Sequence, residues 1–346
     1  MSPATAKTLS GGASANLDLL RAVAVLLVLL NHLTRHYHYD HFDGVGIFGV
    51  LLFFVHTSLV LMYSMQRSSL TGVALIKDFY IRRFFRIYPL SVLAVVTAVA
   101  LNLHADGRGL ALAARPGPIE FVSNLLLVQN LTNTSSIIGP LWSLPIEVQM
   151  YLFLPLLFLW RRRSVGTLLV VWAICGALGH FQQTVPTLGW FTLLLYAPNF
   201  LPGIIAFTLP EKRVLPSYLW PAFILILTGL FFLYPSRRLG GIACLSLGFG
   251  IPYFKEITFR PLNFVANRIA IYSYGIYLGH SFFIWWALTE RNNWPLLWAM
   301  LLIIPVALYE GFERPAIDAG RRIAKRMSRP RRPVLATEPQ NAEGVS

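Results

Sequence analysis

Leu17-Asp-Leu-Leu-Arg21-Ala-Val-Ala-Val-Leu-Leu-Val-Leu-Leu-Asn-His32 sets the terms for the whole chain. The run is apolar enough to cross hydrocarbon, yet it carries a guanidinium near one end and an imidazole toward the other. A spanning helix needs roughly 20 apolar residues. The block 17–37 meets that need, and nine more follow at 44–65, 80–103, 141–160, 165–182, 190–209, 216–234, 239–254, 269–289 and 295–313. Composition agrees: 55% of the 346 residues are hydrophobic and 13% charged, against about a quarter charged in a soluble domain. Mean hydropathy is +0.59. An eleventh stretch, Phe121 to Leu131, is short and holds Asn124, Gln129 and Asn130, so it reads as a re-entrant or interfacial helix needing protein cover. No cleavable secretory signal is evident at the N-terminus, and the first block is expected to remain as a helix.

Lys and Arg fix the expected orientation. With the N-terminus cytoplasmic, most of the 29 basic residues fall on that side, including the Arg67–Arg86 loop, Arg161–Arg163 and the tail. The other side keeps Arg35, Arg108, Arg115, Arg237, Arg238 and Arg291. Both ends are therefore expected in the cytoplasm, which requires an even number of spans. The fold class is an all-α polytopic membrane protein of about ten transmembrane helices. Residues 1–15 form a short cytoplasmic segment, 16–315 the membrane domain, and 316–346 a basic, disordered tail placed to meet anionic lipid headgroups. The net charge of +14 lies along one membrane face rather than on a soluble module, which argues against nucleic acid.

A charge at mid-bilayer costs at least ~2.5–3.5 kcal/mol, so embedded polar residues need a reason. Arg21 and His32 are 11 residues apart, roughly three turns and roughly 16 Å along a helix, so they share a face. Glu147, in Trp142-Ser-Leu-Pro-Ile-Glu147-Val-Gln149-Met-Tyr151, is expected at the depth of His32. A carboxylate there would orient the imidazole as a general base; a structural ion pair is the alternative. Arg83 and Arg86 share a face by their i,i+3 spacing and suit fork-like recognition of phosphates. With Arg21 they would line a cationic cytoplasmic mouth, whereas Arg82 reads as an ordinary membrane-flanking charge. His280 lies in the ninth block, where it either lines a channel or is satisfied by Ser273 and Tyr277 on the same face.

Other patterns carry less. Gly44-Val-Gly-Ile-Phe-Gly49 matches a dinucleotide fingerprint but has no preceding strand. His32, His36, His38, Asp40, His41 and Asp43 lack a second ligand cluster, so no metal site is assigned. Cys175 and Cys244 read as buried apolar residues.

Taken in order, these stretches resemble the acyltransferase-3 family of bacterial membrane O-acyltransferases. Leu17 through His32 resembles its Arg-x10-His signature, and Arg83-Phe-Phe-Arg86 its Arg-x-x-Arg motif. Trp142 to Tyr151 resembles Trp-Ser-Leu-x-x-Glu-x-Gln-x-Tyr. Ser273-Tyr-Gly-Ile-Tyr277-Leu-Gly-His280 and Tyr309-Glu-Gly-Phe-Glu313-Arg-Pro315 resemble the last two helices. Phe53-Phe-Val-His-Thr-Ser-Leu59 departs from the family's Phe-Phe-Val-Leu-Ser-Gly-Phe by His56, Thr57 and Ser58.

The resemblance implies an acyl-CoA donor, usually acetyl-CoA, entering from the cytoplasm of a cell's inner membrane. It also implies an acceptor hydroxyl on an extracytoplasmic glycan or lipid-linked sugar. It carries function to His32 and Glu147 as catalytic residues and to Arg21, Arg83 and Arg86 as donor-binding ones. Trp142, Ser143, Gln149, Tyr151 and His280 are expected at the substrate site, and Thr57 is a weaker candidate for an acyl intermediate. Some members add a periplasmic hydrolase-like domain; this chain ends soon after the tenth block, and its membrane domain is expected to meet the acceptor directly. Rival readings are a flippase or transporter of a lipid-linked sugar, acylation of a small molecule, and a membrane scaffold.

Overall fold

The computed structural model describes residues 14–39, 42–106, 109–160, 164–184 and 192–327. Asp40, His41, Arg108, Arg161–Arg163, the start of the N-terminal segment and the tail beyond Met327 lie outside the described residues. The chain is mostly helical: α1 Ala15–His36, α2 Asp43–Gln66, α3 Gly72–Ala100, α4 Pro118–Leu126, α5 Leu144–Leu159, α6 Val165–Thr184, α7 Leu193–Thr208, α8 Leu219–Leu233, α9 Arg237–Gly250, α10 Arg260–Ile284, α11 Trp294–Leu308 and α12 Arg314–Met327. A helix coincides with each of the ten apolar blocks. By length and composition, 6 stretches could cross a membrane: Ala15–His36, Gly44–Gln66, Gly72–Ala100, Gly139–Leu159, Val165–Thr184 and Trp294–Met327. The apolar helices α7 and α8 are shorter.

Helix α2 is the hub, packing on α1 and α7 and more lightly on α5, α8 and α9, while α1 packs in turn on α10. The α2–α7 approach depends on small and helix-breaking residues. A Cβ at Gly203 would stand 2.3 Å from the Val55 carbonyl oxygen and 2.1 Å from Ser58 Oγ, so the backbones meet where no side chain fits. Pro202 has no N–H to offer the Pro198 carbonyl four residues back. The Trp172 indole N–H supplies that bond instead, at 2.9 Å. Ser58 Oγ lies 2.7 Å from the Phe200 carbonyl oxygen, to which it donates.

Departures from the expected layout lie at three places. An antiparallel hairpin, β1 Leu103–Ala105 with β2 Leu110–Leu112, follows α3. The stretch Phe121 to Leu131 becomes the end of α4 and a turn, with Leu127 at φ 55° closing the helix. Of its polar side chains, fully buried Asn124 is satisfied locally: it donates to the Glu120 and Ser135 carbonyls at 2.9 and 2.8 Å and accepts from Ile137 N–H at 3.0 Å. The disordered tail expected from 316 instead begins as α12, which packs on α3. Gly320 and Ala324, one turn apart, are its buried positions, and Gly320 meets the Phe85 ring. A basic run with small residues at i,i+4 forms an amphipathic helix that can dock.

Glu120 ties α4 to the hairpin, pairing with His104 Nε2 at 2.9 Å and accepting from the Ser135 hydroxyl. Partial burial opposes its ionisation, but the bonds from Ser135 and His104 outweigh this and hold the carboxyl below its usual range. A depressed carboxyl contributes stability that is present above its unfolded value and lost as pH falls through the folded one. Hydrogen exchange at residues 103–105 and 135–137 should therefore accelerate as pH falls through the carboxylate range, after correction for intrinsic rates. In Glu120→Gln the corrected rates should be faster and flat across that window. Gly203→Val should abolish monodisperse protein in detergent, since overpacking costs at least ~1–3 kcal/mol. Gly229→Ala, where a Cβ meets nothing within 4 Å, should leave yield unchanged.

Candidate functional site

The helices enclose two polar cavities that share a wall. The first holds about 100 Å³ and is lined by Arg21, Arg83, Arg86, Glu147, Tyr151 and Ser273. The second holds about 510 Å³ and is lined by Asn31, His32, Arg35, Trp142 and Tyr196. Val50 of α2 and Tyr277 of α10 line both. Arg21 and His32 do share a face of α1, but their separation of roughly 16 Å places one in the arginine cavity and the other in the histidine cavity.

The arginine cavity is a charge cluster assembled from five helices. Arg21 Nε donates to Ser273 Oγ at 2.7 Å. Glu147 accepts from the Tyr151 hydroxyl one turn along α5, and its charge faces Arg21, Arg83 and Arg86. Arg86 is ion-paired with buried Glu313 at the α11–α12 junction and stacks over the Tyr274 ring at 5.4 Å. Arg82 points elsewhere, to Asp78 at 2.8 Å. Among the described residues neither Arg21 nor Arg83 has an ion-pair partner, but Arg21 donates to Ser273 while Arg83 makes no such bond, so Arg83 is the guanidinium in this cluster most available to an anion.

Glu147 does not accompany His32. The 3-10 helix Gly139–Ser143 starts at the depth of His32 rather than at the outer surface, and Glu147, eight residues on, lies roughly 12–14 Å deeper. Gly139, not Glu147, reaches the level of His32: its Cβ position lies 3.6 Å from His32 Cε1. The ring beside His32 is His280, with centroids 4.7 Å apart at 52°. Ser273 and Tyr277 do not satisfy His280 as expected. Ser273 accepts from Arg21, and His280 Nδ1 lies 3.1 Å from the Ile276 carbonyl on its own helix.

The wall between the cavities is pinned. The Tyr277 hydroxyl donates to the Pro140 carbonyl at 2.9 Å, which leaves Ser143 Oγ to donate to it at 2.7 Å. Trp142 packs on Tyr196, centroids 5.4 Å apart, in the histidine cavity. Gln149 lines neither cavity; its amide pairs reciprocally with Asn130 at 3.0 and 3.3 Å and thereby holds α5 to the turn after α4.

Sequence reasoning missed Tyr196 and Asn31, while Glu313, read as a membrane-boundary anchor or a partner for nearby basic residues, is paired with Arg86. It noted His56 only as a departure from a motif. His56 is 4% exposed, lines the arginine cavity and has an unpartnered Nδ1. Its signal was the appearance of a titratable side chain where an apolar one is the pattern.

A profile of the acyltransferase-3 family, described as an acyltransferase domain, matches residues 14–309. The chain belongs to this family. Similar curated members include the peptidoglycan O-acetyltransferase OatA of Listeria monocytogenes, 29% identical over 77% of this chain and 48% of that protein. A putative O-acetyltransferase of Staphylococcus aureus is 32% identical over 46% of this chain and 27% of its own length. Nodulation protein 10 of Rhizobium leguminosarum is 28% identical over 51% and 54% respectively. This acyltransferase-3 chain thus matches about half, or less, of the length of these relatives. No solved structure matches it significantly.

Breaking a buried ion pair by removing one partner costs about 3–5 kcal/mol, whereas replacing both by apolar residues is often neutral. Glu313→Leu should therefore lower the thermal stability of the purified protein sharply. Arg86→Met/Glu313→Leu should recover most of the loss in the same melting assay.

Proposed function

We propose that the protein is a membrane O-acyltransferase that moves a short acyl group, acetyl by preference, from acyl-CoA to a glycan hydroxyl. The observation that carries this reading is the pair of cavities meeting at Val50 and Tyr277, one lined by guanidiniums and the other by an imidazole beside aromatic rings. In the proposed topology ten helices cross the cell's inner membrane and both ends are cytoplasmic. The arginine cavity then faces the cytoplasm, and the histidine cavity the outside.

The residues present fit the donor. Arg83, free of an ion pair, and Arg21 suit its phosphates, while Arg86 serves mainly through the charge network it forms with Glu313. Trp142 and Tyr196 offer ring faces to a sugar, alongside the polar Asn31 and Arg35. The relatives' names, a peptidoglycan O-acetyltransferase and a nodulation protein, support a glycan or lipid-linked sugar as acceptor.

In the reaction His32 takes the proton of the acceptor hydroxyl as its oxygen attacks the thioester carbonyl carbon. The new C–O bond forms and the C–S bond breaks. The proton passes from His32 to the departing sulfur, releasing the free thiol and restoring the neutral imidazole. Glu147 stays with Tyr151 and the arginines, where it positions Arg21 and Arg83 and takes no part in proton transfer.

Membrane vesicles supplied with radiolabelled acetyl-CoA test this. The native chain should label a glycan fraction, and His32→Ala should lower turnover by about 10²–10⁴-fold. Arg83→Ala should chiefly raise KM for acetyl-CoA, the signature of lost donor binding. Absence of label with intact native protein and its glycans present would move the weight to a flippase, which needs no thioester.

A further inference from the structure

His280 is a second buried imidazole for which the acyl-transfer scheme has no use. It is 1% exposed and lies on α10, one helical turn beyond Ile276. Its Nδ1 is 3.1 Å from the Ile276 carbonyl oxygen, and a carbonyl can only accept. Nδ1 therefore carries the ring proton, and in the neutral ring Nε2 is left as a lone-pair acceptor. That Nε2 is buried and has no hydrogen-bond partner. A buried acceptor without a donor is uncommon and calls for an account. The ring next to it is His32, at a centroid separation of 4.7 Å. The χ2 torsion of histidine is broad, so a modest rotation brings an N–H of one ring onto the lone pair of the other.

We propose that His280 is the positioning residue for His32, its Nε2 accepting the N–H of the His32 ring nitrogen turned away from the acceptor, a bond that strengthens as the ring takes up the acceptor's proton. The proposal rests on the base role of His32 given above and assigns to an imidazole the orienting part that the sequence had given to Glu147. Before transfer the neutral His32 ring, once rotated, presents its lone pair to the acceptor hydroxyl and its one N–H to Nε2 of His280. After transfer the imidazolium has two N–H groups, one directed to the departing sulfur and one to His280. The partnership favours the protonated form of His32, and so the state along the reaction path, without adding charge to a buried site. The cavity around His32 is also lined by Asn31 and Arg35 of α1, Tyr196 of α7 and Tyr277 of α10. Arg35 is cationic and the Tyr277 oxygen already accepts from Ser143 Oγ; His280 is the group whose unpartnered acceptor belongs to a ring set against His32.

The test compares His280→Phe, His280→Gln and the double variant His32→Ala/His280→Phe in full-length protein, by acetyl transfer and by pH profile. His280→Phe should lower kcat at least tenfold, leave KM for acetyl-CoA unchanged, and move the acidic limb of the kcat profile to lower pH. His280→Gln, whose amide oxygen can accept, should recover most of the turnover. The double variant should be no slower than His32→Ala alone, because the two residues act as a unit. Should His280→Phe fail to elute as a monodisperse peak, His280→Leu makes the same comparison. Turnover within twofold of native with an unmoved limb would overturn the proposal. So would equal losses in the Phe and Gln variants with a raised KM, which would mean that His280 only shapes the cavity. A His32→Ala protein with native turnover would instead remove the base role on which the proposal rests.

Discussion

The constraint on which the rest depends is the cost of holding three guanidiniums inside a low-dielectric bundle. Arginine stays protonated at any working pH, so Arg21, Arg83 and Arg86 must be met by polar groups or the helices separate. The bundle meets them from every side: Ser273 from α10, Glu147 and Tyr151 from α5, and Glu313 from the α11–α12 junction. Even with both carboxylates ionised, three positive charges face two negative ones. The surplus is a standing demand for an anion, and it lies where the cavity is open to receive one. Structural compensation and ligand affinity are in this sense one electrostatic sum, left one charge short.

The helices were legible in the sequence because hydrocarbon-length apolar runs need no tertiary information. So was the shared face of Arg21 and His32, which is a matter of helical period alone. The gathering of Arg21 with Arg83 and Arg86 in one cavity was also legible, whereas the pairing of Glu147 with His32 failed. Glu147 was matched to His32 by counting an α-helical rise from Leu141. Gly139, where the 3-10 segment starts, already stands beside His32, so a count begun at the outer surface left the carboxylate too shallow, and it lies in the other cavity. Gln149 sits in a motif with Trp142 and Glu147, yet periodicity turns it toward Asn130. The hairpin after α3 escaped because its strands are three residues each and carry no alternation long enough to read. In α12 the basic charge was seen, while the two small residues that let it dock were not.

The same contrast separates the two histidines. His32 announces itself by its spacing from Arg21, whereas His280 sits at the end of a run that reads as an ordinary helix. Only the fold shows that its backbone-directed nitrogen leaves the other one vacant. Local sequence supplies a side chain's chemistry; the tautomer, and hence whether it gives or takes a proton, is set by which carbonyl the helix places beneath it.

The wall formed by Val50 and Tyr277 has an electrical consequence. With one cavity wetted from each side, as in the proposed topology, the membrane potential falls mostly across this partition rather than over the full hydrocarbon thickness. A unit charge crossing it then feels nearly the whole field, about 2.3 kcal/mol per 100 mV. An acyl group is neutral and crosses without electrical work, but a proton or a cation does not. The Tyr277 hydroxyl, with its own proton fixed on Pro140 and its lone pair held by Ser143, is poorly set up to relay protons. A protein that hollows the bilayer from both faces thus keeps its insulation, and the cell's ion gradient need not leak through the path built for the acyl group.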